Sequence, residues 1–185
     1  EGVNRYDGYN FIKYDKQLKV SNSLVSNFTT CITESSPGIF WIGTEKGFSV
    51  LLYETNTYIN FENPALIRKI IVEDSLTVLI QTPYSVYKAR LVEIKSKEYT
   101  VQLEALNAYK EVLCKIDKHH IYFINRNHQL CTYDVRTKLI KPIQNQQIWQ
   151  SIIKKKITEA GPSIRAKRQD KSYEFGVISS EIFYP

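Results

Sequence analysis

The sequence repeats a four-strand pattern at intervals of roughly 40 residues, and that period constrains the fold more than any single motif does. The first complete copy runs from Phe28 to Phe61. There "FTTCITES" reads as a strand, "SPG" as a turn and "IFWIGT" as a second strand, and "EKG", "FSVLLYE", "TNT" and "YINF" continue the alternation. Ser, Pro, Gly and Asn fall at the breaks, as turns require. A second copy follows as "IRKIIVED", "LTVLIQT", "SVYKARLVEI" and "YTVQL", and a third as "EVLCKID", "HIYFIN", "QLCTYDV" and "KLIKPI". Thr44 falls over Thr82 and Phe48 over Val86, each 38 positions on. Ile80 falls over Ile124 and Val86 over Leu130, each 44 positions on.

One four-stranded sheet per repeat of this length is the requirement of a β-propeller blade. A lone sheet of short strands buries too little surface, so neighbouring blades must cover both of its faces. The central strands should then be apolar on both sides, as "IFWI", "TVLI" and "IYFI" are, while the outer "KSKEYTVQ" is more polar. A β-sandwich would account for the strands but not for the period. The expected fold is all-β, with β-propeller blades of four antiparallel strands, about three to four of them, forming a fragment of a larger propeller. The expected boundaries are 1–20 for the end of a first blade, then blades at 21–62, 63–103 and 104–143. Residues 144–185 are expected to start a further blade, with a helical or basic insertion. That insertion is "QQIWQSIIKKKITEA", amphipathic through Ile148, Ile152 and Ile153 and closed by Gly161-Pro162.

Composition agrees with strands. Hydrophobic residues are 43% and charged residues 24%, which marks a globular chain, and the aromatic content is 12%, led by 13 Tyr. The net charge is +6, concentrated in Lys154-Lys155-Lys156 and Arg165-Ala166-Lys167-Arg168. Runs of this kind read first as solvated faces, and nucleic acid is not expected as a partner. Cys31, Cys114 and Cys131 have no metal spacing and lie in strand-like runs, so buried free thiols are expected. A Cys114–Cys131 bridge stays open for an oxidising compartment. No window approaches 18 consecutive apolar residues. The chain contains no Met, as expected of a processed chain or a part of a longer one.

"SPGIFWIGTEKGFSVL", preceded by "SNSLVSNFTTCITE", resembles the two-component regulator propeller repeat, whose usual form is D-S-x-G-x-x-W-I-G-T-x-x-G-L-x-R-Y. "GVNRYDGYNFIKY" (Gly2 to Tyr14) resembles the second half of a preceding blade of the same family. The match is specific over residues 1 to about 61, is one of spacing over 62–143, and does not extend to 144–185. Leu79-Ile80-Gln81-Thr82 and Phe123-Ile124-Asn125-Arg126 replace Trp-Ile-Gly-Thr in the later copies, and Ser35-Ser36-Pro37-Gly38 replaces Asp-Ser-x-Gly. Degenerate blades are common in this family, so the architecture carries over and a ligand site does not. The resemblance implies an N-terminal part of the periplasmic ectodomain of a Bacteroidetes-type hybrid two-component sensor, an inner-membrane protein. Such a sensor responds to oligosaccharides and signals, as a homodimer, to a cytoplasmic histidine kinase. The rest of the ectodomain would be a partner, kinase activity would lie elsewhere in the full-length protein, and this segment would be no enzyme and need no cofactor.

The candidate residues read mostly as scaffold. Trp41 should pack between blades, Gly43 should permit close backbone approach, Gly47 should supply a positive φ, and Thr44 belongs with them. His119, His120 and His128 with Asp117 are the one cluster hinting at metal or acid–base chemistry, but adjacent strand residues face opposite ways, and a solvated turn is the expected setting. Glu34 and the Glu73-Asp74 pair are expected as surface charges rather than a hydrolase's carboxylates. No nucleophile elbow, Ser-His-Asp order or phosphate loop is present, so no catalytic and no metal site is assigned. Asn27-Phe28-Thr29 fits a glycosylation sequon, a pattern that also arises by chance. Tyr53, Tyr58, Tyr84 and Tyr109 stand near predicted turns, where an aromatic face could stack on a sugar ring, but packing is as good a use for each, and the ligand-binding residues stay unassigned.

Three rival readings remain open at this stage. One is a protein-interaction propeller without a small ligand. Another is a lyase or hydrolase propeller, which needs an acid–base constellation at a central channel. The third places the basic segments on nucleic acid and requires steep salt dependence.

Overall fold

In the computed structural model, which describes residues 2–63, 65–96 and 98–144 and the backbone of 163–168 and 171–177, each repeat forms one antiparallel sheet. The first complete blade holds β3 (Thr29–Ser36), β4 (Ile39–Thr44), β5 (Gly47–Leu52) and β6 (Thr57–Glu62). The second holds β7 (Lys69–Val72), β8 (Thr77–Gln81), β9 (Val86–Lys95) and β10 (Glu98–Ala105). The third holds β11 (Tyr109–Lys115), β12 (His120–Asn125), β13 (Leu130–Asp134) and β14 (Ile140–Pro142). Strands in each sheet follow chain order, and the leading strands adjoin from blade to blade, β3 against β7 and β7 against β11. Four-stranded meanders set side by side through their first strands are β-propeller blades.

The chain's ends differ from the expectation of a further blade at 144–185. The opening strands β1 (Val3–Tyr6) and β2 (Phe11–Tyr14) form a hairpin, and β16 (Lys171–Val177) pairs antiparallel with β1, from Val3 opposite Val177 to Tyr6 opposite Glu174. With β15 (Ser163–Arg168) outside it, this sheet has the order β15-β16-β1-β2. The late strands therefore complete the blade that the first strands begin. An open edge on β1 offers a row of unpaired backbone groups, which is the physical reason a late hairpin docks there. The helix expected around Ile148 to Ile153 lies outside the described residues.

Alternation along the central strands sorts side chains into separate layers between blades. In β4, Phe40 and Ile42 enter a core shared with Val3 and Leu24, while Trp41 enters the core between the first and second complete blades. In β8, Val78 and Ile80 return to that second core and Leu79 enters the next one, with Ile121 and Phe123 of β12. Trp41, fully buried, packs 5.9 Å from Phe48 between ring centroids. Its indole N–H donates to Ser35 Oγ at 3.0 Å, and that hydroxyl donates to Ser75 O of the next blade at 2.8 Å. One tryptophan thus supplies apolar packing and a polar link across the same interface.

Short turns hold the strand ends. Gly47 has a φ of 110°, and a Cβ there would collide with the Phe61 carbonyl. A Cβ on Gly43 would lie 2.6 Å from Cys31 Sγ and 2.8 Å from Ile67 Cγ2, so the glycine lets the next blade's lead-in segment come close. Thr44 Oγ1 donates to Gly47 O at 2.9 Å, and Thr82 Oγ1 donates to Ser85 O at 3.1 Å in the next blade. The same hydroxyl thus closes the same turn one repeat later. All three cysteines are free. Cys114 and Cys131 lie on β11 and β13 with β12 between them, so two strand spacings of roughly 10 Å rule out the bridge that the sequence left open.

Glu73 corrects the expectation of a surface charge. Its side chain is 0% exposed, while Asp74 beside it is exposed. Lys138 Nζ donates to Oε1 at 2.7 Å, Lys88 Nζ at 3.0 Å and Tyr133 Oη at 2.8 Å, while Lys115 Nζ donates to the Glu73 carbonyl at 2.7 Å. Lys88 Nζ is also 2.9 Å from Oε2, an ion-pair contact without an aligned hydrogen bond to that oxygen. Three of these four partners belong to the third blade, so the carboxylate ties the second blade to it. Burial pushes this carboxyl up, but hydrogen bonds from Lys138, Lys88 and Tyr133 outweigh it and leave it below its ordinary value.

Two outcomes follow. Trp41→Ala should cost about 3–5 kcal/mol in urea unfolding, with the midpoint falling and the slope unchanged. The depressed carboxyl of Glu73 adds stability that is complete above the ordinary pKa of 4.5 and is lost as pH falls through the lower folded value. Glu73→Gln should therefore lose about 1–2 kcal/mol at neutral pH, with the difference from wild type shrinking in acid. A difference that stays constant from pH 7 to about pH 3 would show that the ionised carboxylate is not what holds the blades.

Candidate ligand-binding cleft

Antiparallel blades put the connections between sheets and the turns after their second strands at one end of the molecule. At that end, a cleft of about 730 Å³ opens between the second and third complete blades. This is within the usual range for small-ligand sites, about 300–1,000 Å³. Arg68, Lys69 and Gln81 line the side formed by the second blade, and Lys110, Glu111, Arg126 and His128 the side formed by the third. Pro83 and Tyr84 form one lip, and Tyr109 lies in the wall.

Each wall residue is positioned by local bonds. Thr82 Oγ1 accepts from Ser85 N at 3.0 Å and from Tyr84 N at 3.3 Å, so a closed turn holds the Tyr84 ring in solvent, 87% exposed. Tyr109 is 5% exposed and stacks on Phe123 at 3.8 Å; burial raises its phenol above the ordinary value. Gln81 Oε1 accepts from Val112 N at 3.0 Å, joining the two blades beneath the opening. Lys69 Nζ donates to Leu113 O at 2.9 Å across the same seam. Arg126 Nε donates to Asn107 O at 2.5 Å, and Lys110 Nζ lies 3.2 Å from both ring nitrogens of His128.

The sequence candidates separate accordingly. Tyr84 and Tyr109 share the cleft, whereas Tyr53 and Tyr58 pack on the core below the opening blade. The Tyr53 hydroxyl accepts from Arg5, whose guanidinium also lies 5.6 Å from the ring centroid. The histidines split between opposite ends of the third blade. Asp117 Oδ1 accepts from His119 N at 2.7 Å and His120 N at 2.8 Å, and Oδ2 lies 2.8 Å from His120 Nδ1. These bonds, that from His119 N foremost, hold the Asp117 carboxyl down at about 2 and mark a hydrogen-bonded turn. His128 alone reaches the cleft. Glu34 Oε1 accepts from Gly38 N at 2.8 Å within its own turn. The sequon's Asn27 Oδ1 accepts from Lys16 N at 2.6 Å. Among the described residues no group of three or more His, Cys, Asp or Glu is arranged to hold a metal ion.

Two other cavities serve packing better than recognition. One of about 290 Å³ lies between the first and second complete blades, walled by Phe48, Phe61, Ile67, Ile80 and Leu103, with few polar groups to orient a ligand. The other, about 530 Å³, surrounds Glu73, whose Oε1 already accepts from Lys88, Lys138 and Tyr133. Sequence reasoning found Tyr84 and Tyr109 by their closeness to turns. It missed Arg68, Lys69, Lys110 and Arg126, which are scattered along the chain and converge only when two blades pack.

No family model matches the chain, and no curated protein matches its sequence. Among solved structures, the chain is similar to the β-propeller domain of Cps50 (Swd1) from Myceliophteria thermophila, with 10% identity and a TM-score of 0.46. The alignment covers 91% of this chain and 61% of that one, so the chain spans under two-thirds of that domain's length. The blade assignment stands on the sheets and their packing rather than on that likeness.

The two cleft tyrosines should behave oppositely. Tyr109→Ala should cost about 3–5 kcal/mol, as buried aromatic truncations do, whereas Tyr84→Ala should stay within about 0.5 kcal/mol of wild type. Thermal melts of the two variants read both values.

Proposed function

We propose that this chain is a non-catalytic ligand-recognition segment of a sensor propeller, and that it takes an oligosaccharide in the cleft between the second and third complete blades. The observation that carries this reading is Tyr84, a large aromatic ring held in solvent by a hydrogen-bonded turn at the rim of a polar-walled cleft. Such a ring suits the apolar face of a pyranose, and the amide, imidazole and cationic groups around it suit hydroxyls. The resemblance of residues 1 to about 61 to the two-component regulator propeller repeat supports the sensor context, a periplasmic ectodomain signalling to a histidine kinase. Among the described residues Glu111 is the single carboxylate of the cleft wall, and a lone acid there favours binding over the paired-acid chemistry of glycoside hydrolysis.

A second reading, a protein-interaction propeller, is favoured by the opening hairpin. Tyr9 is 92% and Phe11 71% exposed, and Phe11 stacks on Tyr6 at 4.6 Å, making a small apolar surface beside an edge strand.

The test is a glycan screen followed by calorimetry on the complete protein's extracellular portion. Oligosaccharide binding should weaken about tenfold or more in Tyr84→Ala while the melting temperature holds. No glycan binding, together with a stable protein complex lost on Phe11→Asp, would replace the first reading with the second.

A further inference from the structure

We infer that Gln81 is the residue that selects the ligand of this cleft, its amide NH2 group donating to a carbonyl oxygen of an N-acetylated sugar. This rests on the recognition reading above and names the substituent that is read. A departure within the repeat points to it. Gln81 takes the place that Gly43 holds one blade earlier, immediately before the threonine that closes each turn. Between the first and second complete blades, a Cβ on Gly43 would lie 2.8 Å from Ile67 Cγ2, because the next blade's lead-in fills that space. Between the second and third, a glutamine side chain stands there instead, and that is the seam where the polar cleft opens.

The side chain is held in a defined sense. Gln81 ends β8, opposite Lys69 of β7 on one side and Val86 of β9 on the other, and its carbonyl accepts from Arg68 N at 2.8 Å. Its Oε1 accepts from Val112 N at 3.0 Å. A backbone N–H only donates, so this bond fixes which end of the carboxamide is oxygen. The Nε2 end is then a pure donor in the cleft wall, reached by solvent and without a partner among the described residues. The acceptors beside it are engaged, Oε1 by Val112 N and Leu113 O by Lys69 Nζ at 2.9 Å. A ligand hydroxyl accepting from Nε2 must still place its own hydrogen, whereas a carbonyl oxygen only accepts. An acetamido group supplies that carbonyl, and its methyl group suits the Pro83 and Tyr84 lip. Arg68, Lys110 and Arg126 also donate, but they are exposed, where water replaces a lost bond at little cost. Gln81 is half-buried, so a mismatch there is felt.

The experiment titrates the complete extracellular portion of the protein with a chito-oligosaccharide and a cello-oligosaccharide of equal length. The two share one backbone and differ only in an acetamido or a hydroxyl group on each ring. The acetylated chain should bind about tenfold or more tightly than the other, a comparison that needs no variant. Gln81→Glu keeps an acceptor for Val112 N and removes the donor. It should therefore weaken chito-oligosaccharide binding about tenfold or more and abolish the preference between the two chains, with circular dichroism and a thermal melt verifying the fold. Loss of the seam bond alone would lower the melting temperature without reversing a preference. Equal or tighter binding of the cello-oligosaccharide, sensitive to Tyr84→Ala, would overturn the N-acetyl group while leaving sugar recognition in the cleft standing. A preference for the acetylated chain that survives Gln81→Glu would overturn Gln81 as its reader. Binding of neither chain would overturn this inference, and silence of every glycan in the screen would overturn the recognition reading with it.

Discussion

Phe40 and Trp41 are neighbours in the chain yet enter different cores, because a strand sends successive side chains to opposite faces and both faces here are covered. The same division separates Leu79 from Ile80 and Ile121 from Tyr122. A blade with two apolar faces is unstable alone, and each neighbour it gains stabilises the next. Folding is therefore cooperative along the array, and a fault at one interface is felt by the blades on both sides. Trp41 is where such a fault would be most costly, since it fills the interface and also bonds Ser35, which bonds Ser75 of the next blade.

Because the middles of the strands are committed to apolar layers, polar chemistry is confined to the two ends of each interface. The ends of the seam between the second and third complete blades are used in opposite ways. At one end Glu73 gathers Lys88, Lys138 and Tyr133 into a hydrogen-bonded knot. At the other end the surrounding groups are mostly cations, beside an exposed ring. The first arrangement lies inside the fold; the second lines an opening, with Gln81 and Lys69 bonding across the seam beneath it. A rigid scaffold with its variable groups on loops is a common way of placing recognition without disturbing a core.

The period, the double-sided strands and the turn glycine are legible in the sequence, because they depend on local backbone geometry and alternation. Thr44 and Thr82 show the limit of that legibility well. Their 38-residue spacing is visible in the chain, and the same hydroxyl closes the same turn in both blades. Glu73 was misjudged because a carboxylate at the end of a strand reads as solvated, and the lysines that enclose it from the third blade lie 42 and 65 residues away. The closing of the first blade by β16 was illegible for a similar reason, since a strand's sequence does not say which edge it will meet. Of the cleft, the tyrosines could be nominated from turn proximity, but the charge could not. Arg68 and Arg126 become neighbours only through the packing of β7 against β11.

A site divided between two blades has a consequence that a site on one blade would lack. Gln81 and Lys69 bond across the seam to Val112 N and Leu113 O beneath the cleft, so the relative position of the blades is held by the same strands that carry the cationic groups. Repulsion between the cations of the two walls acts against their approach, whereas a ligand bridging the walls favours it. Such a ligand has unequal affinity for a closer and a wider arrangement, which is the thermodynamic condition for moving an equilibrium between them. The Glu73 knot resists the same movement at the far end of the seam, so any displacement would be a tilt about that end rather than a separation of the blades. Signalling through this fold, on the reading proposed above, would then require no rearrangement within a sheet, only a small change in the angle between two that already touch.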